Sequence, residues 1–269
     1  MRLFASGVRK LLPRPASWIT LLFVVAITAL IYLATAATAG RTSDPQEGAA
    51  VRSLFTFPEA YRTLVGLLLG LGGLLAVIYS AAVGGSEWSW GTFKAAVARG
   101  ESRSRYLLAT FASVALLLGL GLLVAFGVGL VFIVVGGGLA GVSSAGMSDP
   151  APLRALPDLL ARGWLGLILA GAIGFAVAAL TRSQLAGIAI GIGLYFGEQF
   201  SALLIPEIVR YLPFNAASAL IAPTTSEAQL ARSITHALDP STAVVVVVAW
   251  LVAALVISAA AAELAEISG

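Results

Sequence analysis

The chain has 269 residues, 59% of them apolar and only 11% charged, with a net charge of +3 and a mean hydropathy of +0.98. These proportions exclude a soluble globular protein and mark an integral membrane one; the pI near 9.5 does not point to nucleic acid, because the 16 Lys and Arg flank apolar runs and form no basic stripe. With no cysteine and one histidine, a disulfide framework, a thiolate metal site and bis-histidine haem ligation are excluded as well.

From the N-terminus, Phe4, Val8 and Leu11-Leu12 recur at helical spacing, Arg2, Arg9 and Lys10 take other faces, and Pro13 and Pro15 end the pattern. This predicts an interfacial helix on the membrane surface within residues 1–16; a basic tail that only sets topology fits the same residues. The apolar run that follows, ending in Ala37-Thr38-Ala39, has the outline of a cleavable signal but is longer than a typical signal core, so it is read as a span.

A stretch of about twenty apolar residues crosses the hydrocarbon core and must be helical there, since each backbone group needs an internal partner. Six stretches qualify: Trp18 to Ala39, Tyr61 to Val83, Tyr106 to Val135, Leu159 to Leu180, Leu185 to Ile205 and Thr242 to Ala262. The expected fold is therefore an all-α integral membrane protein of six transmembrane helices, one transmembrane domain over residues 1–269. The third stretch exceeds one perpendicular crossing, so it is expected to tilt, kink near Gly119, Gly121, Gly127 and Gly129, or protrude.

Positive charges orient the bundle. Arg2, Arg9, Lys10 and Arg14 precede the first span, Lys94, Arg99, Arg103 and Arg105 lie between the second and third, and Arg182 sits in the turn Thr181 to Gln184. These segments are assigned to the cytoplasm. Arg41, Arg52, Arg62, Arg154, Arg162, Arg210 and Arg232 fall on the other side, in longer loops with most of the acidic residues, and an even number of spans returns the C-terminus to the cytoplasm. The loops at 40–60 and 141–158 read as polar connections, whereas 206–241 opens with Ile208, Val209, Tyr211, Leu212 and Phe214 and is expected to hold re-entrant or short helices.

Charge and aromatic rings concentrate together only in segment 84–105. Gly84-Gly85-Ser86 is expected to break the second span, after which Trp90, Phe93 and Val97 repeat at the spacing of one helical face. A short helix crosswise to the bundle places Trp88 and Trp90 at headgroup level and leaves Glu87, Lys94, Arg99, Glu101 and Arg103 toward water or a partner; a plain interfacial loop also fits.

The stretches E-W-S-W-G-T-F-K and A-R-G-E-S-R carry an acidic residue, a Gly-Thr pair and basic residues at Glu87, Gly91, Thr92, Lys94, Arg99 and Arg103. In this the chain resembles the permease subunits of type-2 ABC exporters, a similarity that extends to the six-span layout, the N-terminal helix and the structured last outer loop. The resemblance implies that Glu87 to Arg99 forms a coupling helix seated in a cleft of a separate ATPase subunit, present in two copies, with a second permease chain, an identical copy in a homodimer or else a related partner chain, completing the assembly. ATP and Mg would then be bound by the ATPase, with no cofactor in this chain, which lacks a G-x-x-x-x-G-K-[ST] sequence and is not expected to be catalytic. An amphipathic cargo (lipid, peptide or drug-like) and a bacterial or archaeal plasma membrane are implied too. A secondary transporter or channel without an ATPase, or a membrane scaffold, are the alternatives.

Glu198 is the acidic residue inside a span, where a carboxylate near the centre costs about 2.5–3.5 kcal/mol. With Gln199 it is a candidate for a translocation path, or else it sits near the outer helix end hydrogen-bonded to a neighbour. The pairs Gly66/Gly70, Gly187/Gly191 and Gly193/Gly197 permit close helix approach. His236 with Asp239 is too small a set for a metal site, and no Ser, His and acid cluster suggests a hydrolase.

Overall fold

A computed structural model describes residues 2–39, 48, 51–89, 91–222 and 237–265; Arg41, Trp90, Arg232 and His236 lie outside the described residues. The chain is all-helical there: α1 (Arg2–Leu11), α2 (Pro15–Thr38), α3 (Glu59–Ser89), α4 (Thr92–Ala98), α5 (Arg103–Leu139), α6 (Pro150–Thr181), α7 (Gln184–Ser201), α8 (Pro206–Val209), α9 (Pro213–Ala219) and α10 (Pro240–Glu263). Among them α2, α3, α5, α6 and α10 are long and apolar enough to cross a membrane. The 18-residue α7 is less apolar because Gln184, Glu198 and Gln199 fall within it.

Three expectations need correction. Gly84-Gly85-Ser86 does not break the second span, and α3 runs on to Ser89. Glycine weakens an isolated helix, but here its missing side chain admits neighbours: a Cβ on Gly85 would stand 2.3 Å from the Gln184 backbone and one on Gly84 3.0 Å from the Phe175 ring. The connection at 141–158 is not all loop, since α6 begins at Pro150 and carries Pro157 within it. Nor is 40–60 wholly polar, because Phe55 and Phe57 are buried, Phe55 edge-on to Tyr32 at 5.8 Å.

The third span resolves to one continuous helix. At 37 residues α5 is about 55 Å long, well beyond a hydrocarbon core of about 30 Å, and it runs unbroken through Gly119, Gly121, Gly127 and Gly129. Leu11 of α1 packs on Tyr79 and Val83 of α3 and Val114 of α5, and the Ser113 hydroxyl donates to the Phe4 carbonyl at 3.1 Å. Past these contacts α3 runs about 9 Å further, from Val83 to Ser89, and α5 reaches back about 15 Å from Ser113 to Arg103, with α4 joining the two ends.

The core is the pair α3 and α6, running in the same direction, with Val65, Leu69 and Val77 meeting Gly163, Gly166 and Gly174 in order. α7 returns antiparallel on the same side of α3, Gly191 against Val77 and the Tyr195 hydroxyl donating to the Gly70 carbonyl at 2.7 Å. α2, α5 and α10 pack around this centre and turn large apolar residues such as Leu22, Leu123 and Val256 outward, as lipid-facing helices do.

At Gly174 a Cβ would lie 2.2 Å from the Val77 carbonyl oxygen, an approach only glycine allows. Gly174→Leu is expected to lower stability in detergent by at least the usual overpacking cost of about 1–3 kcal/mol. Gly70→Leu, at an exposed position with nothing within 4 Å, is expected to leave the thermal midpoint unchanged. Equal midpoints for the two variants would contradict the α3–α6 contact.

Candidate functional site

The tip formed by the ends of α3, α4 and α5 is organised by one carboxylate. Glu87 closes the last turn of α3 with no exposed surface, and its Oε1 accepts from Lys10 Nζ of α1 at 2.5 Å. Its Oε2 accepts from Thr92 Oγ1 of α4 at 2.6 Å and from Tyr106 Oη of α5 at 2.7 Å. A single side chain thus joins four helices through charge-assisted bonds, and the ammonium, about a third exposed, neutralises it. Arg14 adds a parallel tie, donating to Ser86 Oγ at 3.3 Å.

Local sequence explains why α4 is short. Gly91 enters it with φ +67° and Gly100 leaves it with φ +86°, both in the left-handed region where a side chain is strained. At the C-terminal end the Gly100 N–H donates to the Val97 carbonyl at 2.9 Å and the Glu101 N–H to the Ala96 carbonyl at 3.3 Å, the Schellman pattern that stops a helix at glycine. Phe93 and Ala96 are buried, Phe93 at 4.3 Å from the Trp88 ring and packed with Leu107, Phe111 and Phe175. The opposite face presents Lys94, Ala95, Ala98 and Arg99, all exposed.

The expected site residues therefore separate. Gly91 and Thr92 shape the start of α4, Phe93 anchors it, Lys94 and Arg99 are exposed and Glu101 is half-buried. Glu87 does not face water, contrary to the expectation from its charge; burial is tolerated because three donors, one of them the Lys10 ammonium, surround it. Arg103 is also committed, donating to the carbonyls of Glu263 at 3.0 Å and Ala265 at 2.8 Å and so capping the end of α10. The helix expected over Glu87 to Arg99 is two pieces, the end of α3 and then α4, and Trp90 between them lies outside the described residues. Sequence reasoning missed Lys10, Tyr106 and Arg182, whose guanidinium stands 5.7 Å over the Trp88 ring. Gly100 was the one legible sign of where α4 ends.

At the other end of the bundle Glu198 is buried and accepts from the Asn215 backbone N–H at 2.5 Å and from Asn215 Nδ2 at 3.0 Å. Asn215 stands in the first turn of α9, so a residue of α7 supplies the acceptor that helix would otherwise take from its own N-cap. Gln199 is exposed, and the structure does not bring the two together. This matches the reading of Glu198 as a hydrogen-bonded residue near the helix end.

The chain belongs to a family of proteins of unknown function, DUF2705, whose family model matches residues 60–261. The matched stretch includes Glu87, α4 and Glu198 but not α1, so the Lys10 partner of Glu87 lies outside it. No curated protein matches the chain.

Glu87→Ala is expected to cost about 3–5 kcal/mol, since it leaves an ammonium and two hydroxyls unmet. Glu87→Gln, whose one amide oxygen still accepts from Thr92 and Tyr106 while the bond to Lys10 is lost, should cost less. A double-mutant cycle of Lys10→Met with Glu87→Ala, read by thermal unfolding, should show coupling; additivity within about 0.5 kcal/mol would reject the latch. Because the chain has no cysteine, a single spin label at Ser6→Cys reports α1 cleanly and should gain mobility in Glu87→Ala. For the other site, Glu198→Ala is expected to speed amide exchange across residues 213–219 at least tenfold, with Gln199→Ala having no effect.

Proposed function

We propose that the chain is the membrane-spanning subunit of an ATP-driven exporter of the type-2 ABC class, with α4 as the helix on which a separate ATPase subunit pushes. The observation that carries the reading is the placement of α4: a glycine-bracketed helix about two turns long, joining the ends of α3 and α5 past their contacts with Leu11 and Phe4. A lever must transmit force without yielding, and the Glu87 bonds together with buried Phe93 tie α4 to α1, α3 and α5 at one point.

In this reading α7 is a sixth crossing, completed by the apolar residues Leu203, Leu204 and Ile205 that follow it. Both termini then lie in the cytoplasm with α4, and two copies of the chain pair with two ATPase subunits that bind ATP and Mg. The cargo is amphipathic, moved by alternation of the bundle with no covalent chemistry. Lys94 and Arg99 provide the rim charges toward the ATPase, while Glu87 and Arg103 support the lever from within.

Purification in mild detergent from the native membrane is expected to bring down a soluble protein with a P-loop. Lys94→Glu with Arg99→Glu should abolish that association while the chain still inserts and folds. Recovery of the chain without such an ATPase under conditions that preserve its fold, or labelling of Lys94→Cys from the side opposite Ser6→Cys, would defeat the proposal.

A further inference from the structure

A cavity of about 360 Å³ opens between α2, α3 and α5 on the side where α1 lies, with Leu167 of α6 at its floor. Its rim residues Trp18, Leu120 and Val124 are exposed apolar side chains on lipid-facing helices, so the mouth opens sideways into hydrocarbon. We propose that this cavity holds one acyl chain of an anionic phospholipid, whose headgroup rests against α1.

The wall chemistry selects hydrocarbon over water. The cavity's hydroxyls have spent their protons: Ser17 donates to the Leu11 carbonyl at 2.8 Å, which leaves Tyr79 as donor in the 2.8 Å bond between Tyr79 and Ser17, and Thr20 donates to the Ala16 carbonyl at 2.8 Å. A water molecule needs two to four polar partners, and an apolar cavity of about 150 Å³ already stays dry and takes up benzene. A space more than twice that size, open to the bilayer, fills with a chain.

The headgroup supplies selectivity. An acyl chain gains little by leaving one hydrocarbon setting for another, so discrimination among lipids must come from what stands above the mouth. There the hinge from α1 to α2 is closed by Trp18 Nε1 donating to the Leu12 carbonyl at 2.9 Å, and both residues line the cavity. The segment 2–14 carries Arg2, Arg9, Lys10 and Arg14 with no acidic residue. Lys10 and Arg14 turn inward to Glu87 and Ser86, while Arg2 and Arg9 are exposed. Basic residues at the membrane surface attract anionic headgroups.

Native mass spectrometry of the detergent-solubilised full chain, offered equal amounts of phosphatidylglycerol and phosphatidylcholine, tests this independently of any ATPase. The unaltered chain is expected to retain one phosphatidylglycerol in at least fivefold preference. Gly121→Phe, which fills the cavity from a position where a Cβ meets nothing within 4 Å, should reduce retention at least fivefold, whereas Gly138→Phe, equally open and outside the cavity, should not. Arg2→Gln with Arg9→Gln, both at exposed positions that do not endanger folding, should abolish the preference and leave a chain bound. Retention by Gly121→Phe equal to the unaltered chain, equal retention of the two lipids by the unaltered chain, or an undiminished preference in the arginine variant would each overturn the proposal.

Discussion

A carboxylate with no access to water must find all its partners in the protein, and at Glu87 that requirement fixes how one end of the bundle is assembled. Lys10, Thr92 and Tyr106 come from three different helices, so none of those helices can shift without leaving a charge or a hydroxyl unmet. The nearby ties of Arg14 to Ser86 and of Arg103 to the end of α10 extend the same logic. Bonds of this kind contribute less to net stability than to uniqueness, because the desolvation they demand offsets much of their attraction. What they secure is a single relative position for α1, α3, α4 and α5.

The second constraint is steric and lies in the middle of the bundle. Two helices running in the same direction approach until the Val77 carbonyl nearly touches the Gly174 backbone, which trades side-chain volume for backbone contact. In lipid that trade is favourable, since apolar side chains gain little by leaving one hydrocarbon surrounding for another. The result is a closely packed spine of α3 and α6 with α7 beside it.

Five of the six expected spans were legible in the sequence because hydropathy reports the one property the bilayer selects for; α7, interrupted by Glu198 and Gln199, does not reach the same mark. Hydropathy misplaced the ends of spans for the same reason. A hydropathy window senses lipid, not helix, so the continuation of α3 through Gly84 and Gly85 looked like a break; what preserves the helix is the backbone of Gln184, about a hundred residues away, packed where side chains would otherwise stand. Glu87 was picked out by its neighbours Gly91 and Thr92, yet its burial was invisible, since Lys10 is 77 positions distant and no local spacing announces it. Glu198 was flagged by its cost in a membrane, but the partner that meets that cost, the first turn of α9, belongs to a loop whose helices cannot be placed by hydropathy alone. Gly100 is the instructive omission: a glycine after a seven-residue amphipathic stretch is a helix stop, and it marked the end of α4 in plain view.

α1 connects the two proposals. Within ten residues it contributes Lys10 to the carboxylate that fixes α4, and the next turn of chain contributes Leu12 to the wall of the apolar cavity. A chain lodged in that cavity would bear on the α1–α2 hinge from one side, while Lys10 holds Glu87 on the other. On these proposals the position of α1 depends on both the lipid and the ion pair, and a change in either would alter the support under α4. Coupling of that kind would need no long pathway through the bundle, since Lys10 and Leu12 lie within one turn of each other.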